Sequence, residues 1–213
     1  MAKPEDSATG PARRPIPARS SAWAKWLAAR LAATAITPNQ ISLLSLAFSL
    51  VGGALIGWGS GWPFWVAAAV CAQLRLLCNL LDGMVAVEGG KASRLGALYN
   101  DLPDRLSDSA LLIPLGYAAG SPWLGWAAAL AATSTAFMRV FGGSLGLPQD
   151  FSGIMAKQYR MNVLCLGLIA QCVEDAVWGN RYSLLVAGLI ILAGSIVTCG
   201  TRTLSIARGL EAR

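Results

Sequence analysis

Histidine is absent from this chain of 213 residues, and its five cysteines, Cys71, Cys78, Cys165, Cys172 and Cys199, show no CxxC spacing. With neither feature there is no candidate zinc site, so the cysteines read as small apolar fillers. Charge is scarce as well: 13% of residues are Asp, Glu, Lys or Arg, and 11 of them are acidic. Against 55% hydrophobic residues and a mean hydropathy of +0.53, that scarcity excludes an ordinary soluble domain. No basic stripe is interleaved with aromatics in a polar segment, which argues against a nucleic-acid partner despite the net charge of +6. The first 20 residues, rich in Pro, Ala, Ser and Arg, lack the apolar stretch of a signal peptide, and neither an internal repeat nor a second domain is visible.

What the chain has is apolar length. Stretches able to span a bilayer as helices, about 20 residues each, run over 39–59, 62–87, 96–118, 122–142, 161–177 and 182–206. The expectation is an all-α, polytopic membrane protein with about six transmembrane helices in one bundle. A soluble helical bundle needs a polar face on most segments, and 39–59, 122–142 and 182–200 show almost none. Residues 1–19 are expected as a disordered cytoplasmic tail, 20–34 as a juxtamembrane interfacial helix, and 35–213 as the six-helix membrane domain. Pro38 suits the start of the first span. Lysine and arginine gather before the first span, at Lys91 and Arg94, at Arg139, Lys157 and Arg160, and after residue 200, whereas the connections at 59–62 and 119–122 carry no charge. By the positive-inside rule both termini and the polar cluster described next face the cytoplasm, from an inner or cytoplasmic membrane. The eight tryptophans fit interfacial belts, Trp23 and Trp26 on the inner side and Trp58, Trp62, Trp123, Trp126 and Trp178 on the outer.

Four of the few acids, Asp82, Asp101, Asp104 and Asp108, fall inside two of these apolar segments. Intramembrane charges of this kind usually mark an ion, proton or substrate site. Asn79 and Asp82, Asn100 and Asp104, and Asp104 and Asp108 each share a helix face. Two such faces turned together make an oxygen-rich pocket suited to a hard divalent cation and a phosphate. Arg75, one turn before Asn79, puts the same stripe toward the bundle interior, because a lipid-facing arginine is expensive. In the glycine-rich stretch 88–95, Lys91 and Arg94 suit phosphate oxygens, while Gly83 and Gly96 keep helix ends open beside the pocket. Lys157 and Arg160 share a face that suits an acceptor phosphate, or only sets topology. The acids also have a plain structural reading, as partners of Arg75 and Arg105 that hold helices together.

The run N79-LL-D82-G83-MV-A86, followed by Gly96 and Asp104, resembles the signature of the CDP-alcohol phosphotransferases, D-x2-D-G-x2-A-R-x8-G-x3-D-x3-D. The resemblance extends to T37-P38-N39, to D104-R105-x2-D108, which is similar to the phosphatidylinositol-type branch, and to A156-K157-Q158-Y159-R160. It implies a six-helix homodimer holding one or two Mg2+ or Mn2+ ions, with Asp82, Asn79, Asn100 and Asp104 as the metal positions. It further implies that CDP-diacylglycerol is attacked by an alcohol or polyol phosphate, that CMP leaves, and that Asp104 is the base. Gly83 and Ala86 then leave room for cytidine, and Arg105 and Asp108 shape the acceptor side. The departures are Asn79 and Asn100, where the family has aspartate, and Val87, where it has arginine. Only Asp82 and Asp104 remain as acidic ligands in register, with Asp101 offering a charge about 100° away from Asn100 around the helix. The expectation is one metal, with Arg75 or Arg94 standing in for the second. The competing class is a catalytically reduced relative that binds a CDP-lipid or another anionic lipid without turnover. A transporter has less support, since its half-helices need breaks near the membrane midplane.

Overall fold

Thr37 and Gln40 open the first long helix by capping each other: the Thr37 hydroxyl accepts from the Gln40 backbone N–H at 3.3 Å, and the Thr37 N–H donates to Gln40 Oε1 at 2.9 Å. Pro38, with no N–H to lose, takes the first helical position. This computed structural model describes residues 17–213, and among them there is no strand. A single 3-10 turn, Pro17–Ser20, precedes α1 (Ala22–Ala32), α2 (Pro38–Trp58), α3 (Trp62–Glu88), α4 (Gly96–Ala118), α5 (Pro122–Ser144), α6 (Lys157–Val177) and α7 (Tyr182–Glu211). The six apolar stretches seen in sequence correspond to α2 through α7, except that α6 starts at Lys157 rather than 161 and α7 runs on to Glu211. Of the expected tail over 1–19, residues 1–16 lie outside the described residues.

Short connections at 59–61, 119–121 and 178–181 reverse the chain at one end, and the longer ones at 89–95 and 145–156 reverse it at the other. The long helices pack as a closed ring in the order α2, α3, α6, α7, α5, α4 and back to α2, with α1 lying against α3. Four of them, α2, α3, α5 and α7, are long and apolar enough to cross a membrane on composition alone. The charges of α4 and α6 lower their apolarity, yet Leu98, Leu102 and Leu106 on α4 and Leu166, Ile169 and Val173 on α6 are exposed on the outer surface. Those two helices thus carry charge inward and hydrocarbon outward, the arrangement that lipid demands.

Close packing rests on small residues. A Cβ on Gly53 would lie 2.0 Å from the Ala110 carbonyl oxygen, and that oxygen has no helical partner, because the residue four positions on is Pro114. Gly53 therefore lets the α2 backbone close over a carbonyl freed by proline. Gly116 and Gly125 do the same where α4 crosses α5, a Cβ on the former falling 2.6 Å from the Cα of the latter. Gly53→Ala is expected to cost about 1–3 kcal/mol by overpacking, seen as a lower unfolding temperature in detergent. Gly200→Ala is the control: nothing lies within 4 Å of its Cβ position, so it should be neutral or stabilising by about 0.5–1 kcal/mol. Equal unfolding temperatures for wild type and Gly53→Ala would refute the packing account.

On α1, Trp23 and Trp26 are exposed and Arg30 lies over the Trp26 ring at 5.2 Å. The face that docks is alanine, with Ala24 and Ala28 fully buried in a cluster with Leu80, Leu81, Met84 and Val85 of α3. Six of the seven tryptophans after Trp23 are exposed; Trp65 is the exception. It is fully buried, its Nε1 donates to Asp175 at 2.5 Å, and Arg181 stacks over its ring at 5.1 Å.

Candidate active site at the charged end of the bundle

Asp82 is buried in the wall between α2 and α3. The Ser42 hydroxyl donates to its Oδ2 at 2.7 Å and the Gly83 N–H to its Oδ1 at 2.5 Å. One turn earlier, the Ser45 hydroxyl lies 3.4 Å from Asn79 Oδ1 and 3.5 Å from the Arg75 carbonyl oxygen. Asn79 Nδ2 is buried and has no partner among the described residues. Ser42, Ser45 and Ser49 form a buried polar stripe along α2, which corrects the reading of that segment as lacking a polar face. Their spacing of three and four was the signal.

Asp104 and Asp108, one turn apart on α4, face the start of α6. The Lys157 ammonium sits directly on Asp104. Asp108 is clasped from two sides, its Oδ1 by Arg75 at 2.6 Å and its Oδ2 by Arg160 at 2.5 Å. Arg75, fully buried, also donates to the Asp104 carbonyl at 3.2 Å and lies 4.0 Å from Asp104 Oδ1. The result is a chain of alternating charge, Lys157, Asp104, Arg75, Asp108, Arg160, buried at Arg75, Asp108 and Arg160 and partly exposed at Lys157 and Asp104, that ties α3, α4 and α6 together. Asp82 makes no ion pair among the described residues but lies within electrostatic reach of Lys157 and Asp104, so three carboxylates and three cations share this region and are formally neutral together.

Several residues singled out in sequence lie elsewhere. Asp101 turns to Arg139 of α5, which binds its Oδ1 at 2.6 Å, and to Arg105 at 3.8 Å, so it brings no charge to Asn100. Asn100 and Arg94 are exposed, and Lys91 donates to the Thr34 and Ile36 carbonyls at 2.5 and 3.2 Å, fastening the 89–95 connection to the start of the bundle. Asn39 Nδ2 reaches Ser93 Oγ in the same connection at 3.4 Å. Gly83 lies inside α3, not at its end, and a Cβ there would sit 3.3 Å from an Arg19 guanidinium nitrogen. Gly96 does open α4, and Ala86 stands one turn beyond Asp82. Lys157 and Arg160 hold Asp104 and Asp108, so neither faces an open acceptor pocket as expected. Lys157, not Arg75 or Arg94, is the cation closest to Asp104.

Among the described residues no three Asp, Glu, Cys or His side chains converge as a metal cluster. The donors in signature register are the carboxylates of Asp82 and Asp104 and the amide oxygens of Asn79 and Asn100, all hard oxygen ligands. They fit Mg2+ or Mn2+ in kind, and in charge they suit one ion.

The family model for CDP-alcohol phosphatidyltransferases matches residues 35–199, most of the chain. The phosphatidylinositol phosphate synthase of Streptomyces avermitilis is 28% identical over 193 residues, covering 85% of this chain and 76% of that protein. The synthase of the same name from Corynebacterium glutamicum is 30% identical over 171 residues, covering 76% and 74%. In fold, the chain is similar to the Mycobacterium tuberculosis phosphatidylinositol phosphate synthase crystallised with CDP-DAG bound, with a TM-score of 0.71 at 22% identity over 86% of this chain and 92% of that one. The same mycobacterial enzyme has also been crystallised with manganese and citrate. Six long helices, the acids of α3 and α4 gathered at one polar end, and a family match across nearly the whole bundle lead to one conclusion: the chain belongs to the CDP-alcohol phosphatidyltransferase family of integral membrane enzymes.

Proposed function

We propose that this protein transfers the phosphatidyl group of CDP-diacylglycerol to a hydroxyl of a phosphorylated polyol and releases CMP, as a step of phospholipid synthesis. The observation that carries the reading is the placement of Asp82 and Asp104, in signature register, within electrostatic reach of each other and of Lys157 at one polar end of α3, α4 and α6. The acceptor oxygen attacks the phosphorus that bears diacylglycerol, the bond from that phosphorus to the CMP oxygen breaks, and the hydroxyl proton passes to the Asp104 carboxylate. A bound divalent ion, which Asp82 and Asp104 with Asn79 and Asn100 would hold, supplies charge neutralisation to the diphosphate and to departing CMP.

The remaining work belongs to the chain itself. Lys157 orients Asp104, and Ser42 with the Gly83 N–H fixes Asp82. The ion chain through Arg75, Asp108 and Arg160 keeps α3, α4 and α6 in register, so that the two acids present together. Gly83, Ala86 and Gly96 keep the approach to Asp82 narrow in side-chain bulk, which suits a flat cytosine. Lysine and arginine at both termini, in the 89–95 connection (Lys91, Arg94) and on the helix ends that flank 145–156 (Arg139, Lys157, Arg160) support a cytoplasmic site, where soluble polyol phosphates are found.

A phosphorylated acceptor is supported by a cavity of about 510 Å3 between α5, α7 and the 145–156 connection, where Arg139, Arg202, Gln149, Asp150 and Ser152 line it beside Met138, Leu147 and Ile206. Arg139 joins it to Asp101 on α4, so the acceptor-phosphate role passes to this cavity from Lys157 and Arg160. The relatives, phosphatidylinositol phosphate synthases, point to an inositol phosphate acceptor. Purified protein given CDP-diacylglycerol with inositol phosphate, glycerol phosphate, free inositol or serine, and followed by lipid mass spectrometry, tests this. Product from a phosphorylated polyol is expected; product only from the unphosphorylated alcohols would overturn the acceptor class.

A further inference from the structure

We propose that the site works with a single divalent ion, the Lys157 ammonium taking the place of a second cation. The inference rests on the transfer reading above and concerns how the same centre balances charge. Four observations carry it.

Two of the four signature positions, Asn79 and Asn100, are amides, which coordinate through oxygen yet contribute no negative charge. The ammonium of Lys157 already lies on Asp104, one of the two carboxylates left. Both oxygens of the other carboxylate, Asp82, accept hydrogen bonds from Ser42 and Gly83, so each has fewer lone pairs to bridge two metals. Asn79 Nδ2 is a buried N–H donor with no partner among the described residues, and such a donor suits an anionic phosphate oxygen, not a cation.

The charge count decides between one ion and two. Asp82, Asp104 and Asp108 balance Lys157, Arg75 and Arg160. A diphosphate carrying about two negative charges and one divalent ion leave these six side chains and their ligands neutral, while the Arg19 guanidinium beside Gly83 adds positive charge and disfavours a further cation. A second divalent ion would leave two uncompensated positive charges in a mostly apolar bundle, which is a costly state for buried charge. Lys157 can do part of an ion's work, since an ammonium is a point charge that binds phosphate oxygen well. Unlike an ion it cannot be removed by chelation, so the reaction keeps part of its cationic field at low metal.

Counting Mn2+ tests the proposal without reference to turnover. Full-length protein in detergent is titrated with Mn2+ alone, bound metal is measured per chain, and electron paramagnetic resonance reports whether ions are isolated or coupled. Wild type and Lys157→Arg are expected to bind one isolated Mn2+. The triple substitution Asn79→Asp, Asn100→Asp, Lys157→Met is expected to bind two, with a spin-coupled spectrum. Two ions in wild type, none in wild type, or one in a folded triple variant would each overturn the proposal, and the wild-type count decides it if the triple variant does not fold. Parallel CMP measurements keep the two readings apart: one ion with no CMP from any acceptor sinks the transfer reading alone, whereas two ions with CMP release sink the single-ion inference alone.

Discussion

Asp104→Asn is expected to lower CMP release by about 10²- to 10⁴-fold, the range a positioned general base contributes. The substitution keeps the volume and planarity of the side chain and leaves the Asp108 clasp untouched, so the fold should survive. What disappears is the group that takes the acceptor proton, along with the anion that anchors Lys157. An amide oxygen can still face a cation, but it is far too weak a base to accept a hydroxyl proton at neutral pH. The loss should therefore appear mainly in kcat, with the apparent affinity for CDP-diacylglycerol changed much less. A folded Asp104→Asn protein releasing CMP within about tenfold of wild type, below the smallest general-base effect, would remove Asp104 from the chemistry.

Asp108→Ala should act on the fold before it acts on the reaction. It leaves Arg160 without its counter-charge and Arg75 with only the more distant Asp104, 4.0 Å away, at arginine side-chain exposures of 3% and 0%. Stripping one member from a buried ion cluster costs about 3–5 kcal/mol, a large fraction of the stability of most domains. Little folded protein is expected from this variant, and a strongly lowered unfolding temperature for what is recovered. Replacing all three partners by apolar residues of similar size, Arg75→Met, Asp108→Leu and Arg160→Met, should restore much of the stability, because it removes the desolvation cost with the pair. That triple is expected to fold with reduced activity, since the cluster also sets the register of Asp104. If Asp108→Ala unfolds within about 1 kcal/mol of wild type, a surface-like pair strength, the cluster is not the clamp described here.

The sequence shows α2, α3, α5 and α7 plainly because each is a long apolar stretch and bilayer thickness allows few other solutions, whereas α4 and α6 are legible from the apolar residues that remain between their charges. It also shows the register of Asn79, Asp82, Gly83, Ala86, Gly96, Asn100 and Asp104, since helical spacing fixes which residues share a face. Partner choice is another matter. Periodicity aims Asp104 and Asp108 inward, but whether each meets a metal, Arg75 or a residue of α6 depends on how the ring closes, and α6 is fifty residues away in the chain. For that reason Lys157 and Arg160 read as acceptor ligands from sequence, and as the partners of Asp104 and Asp108 in the fold. Ser42 and Ser45 are hard to see because a lone serine barely lowers the apolarity of a helix. Trp65 looks like the other tryptophans until its indole N–H is found on Asp175. Gly83 looks like a helix terminator, yet α3 runs five residues past it because its neighbours Met84 and Val85 are buried in the core shared with α1.

The account turns on α3 and α4 forming one reaction centre that cleaves a nucleotide-activated lipid. Its most direct test is to follow CMP and lipid product together from purified protein supplied with CDP-diacylglycerol, Mn2+ and inositol phosphate. The account predicts equal amounts of CMP and phosphatidylinositol phosphate, formed only when acceptor is present and lost in Asp104→Asn. Tight binding of CDP-diacylglycerol with no CMP from any acceptor would contradict it and leave a lipid-binding relative in its place.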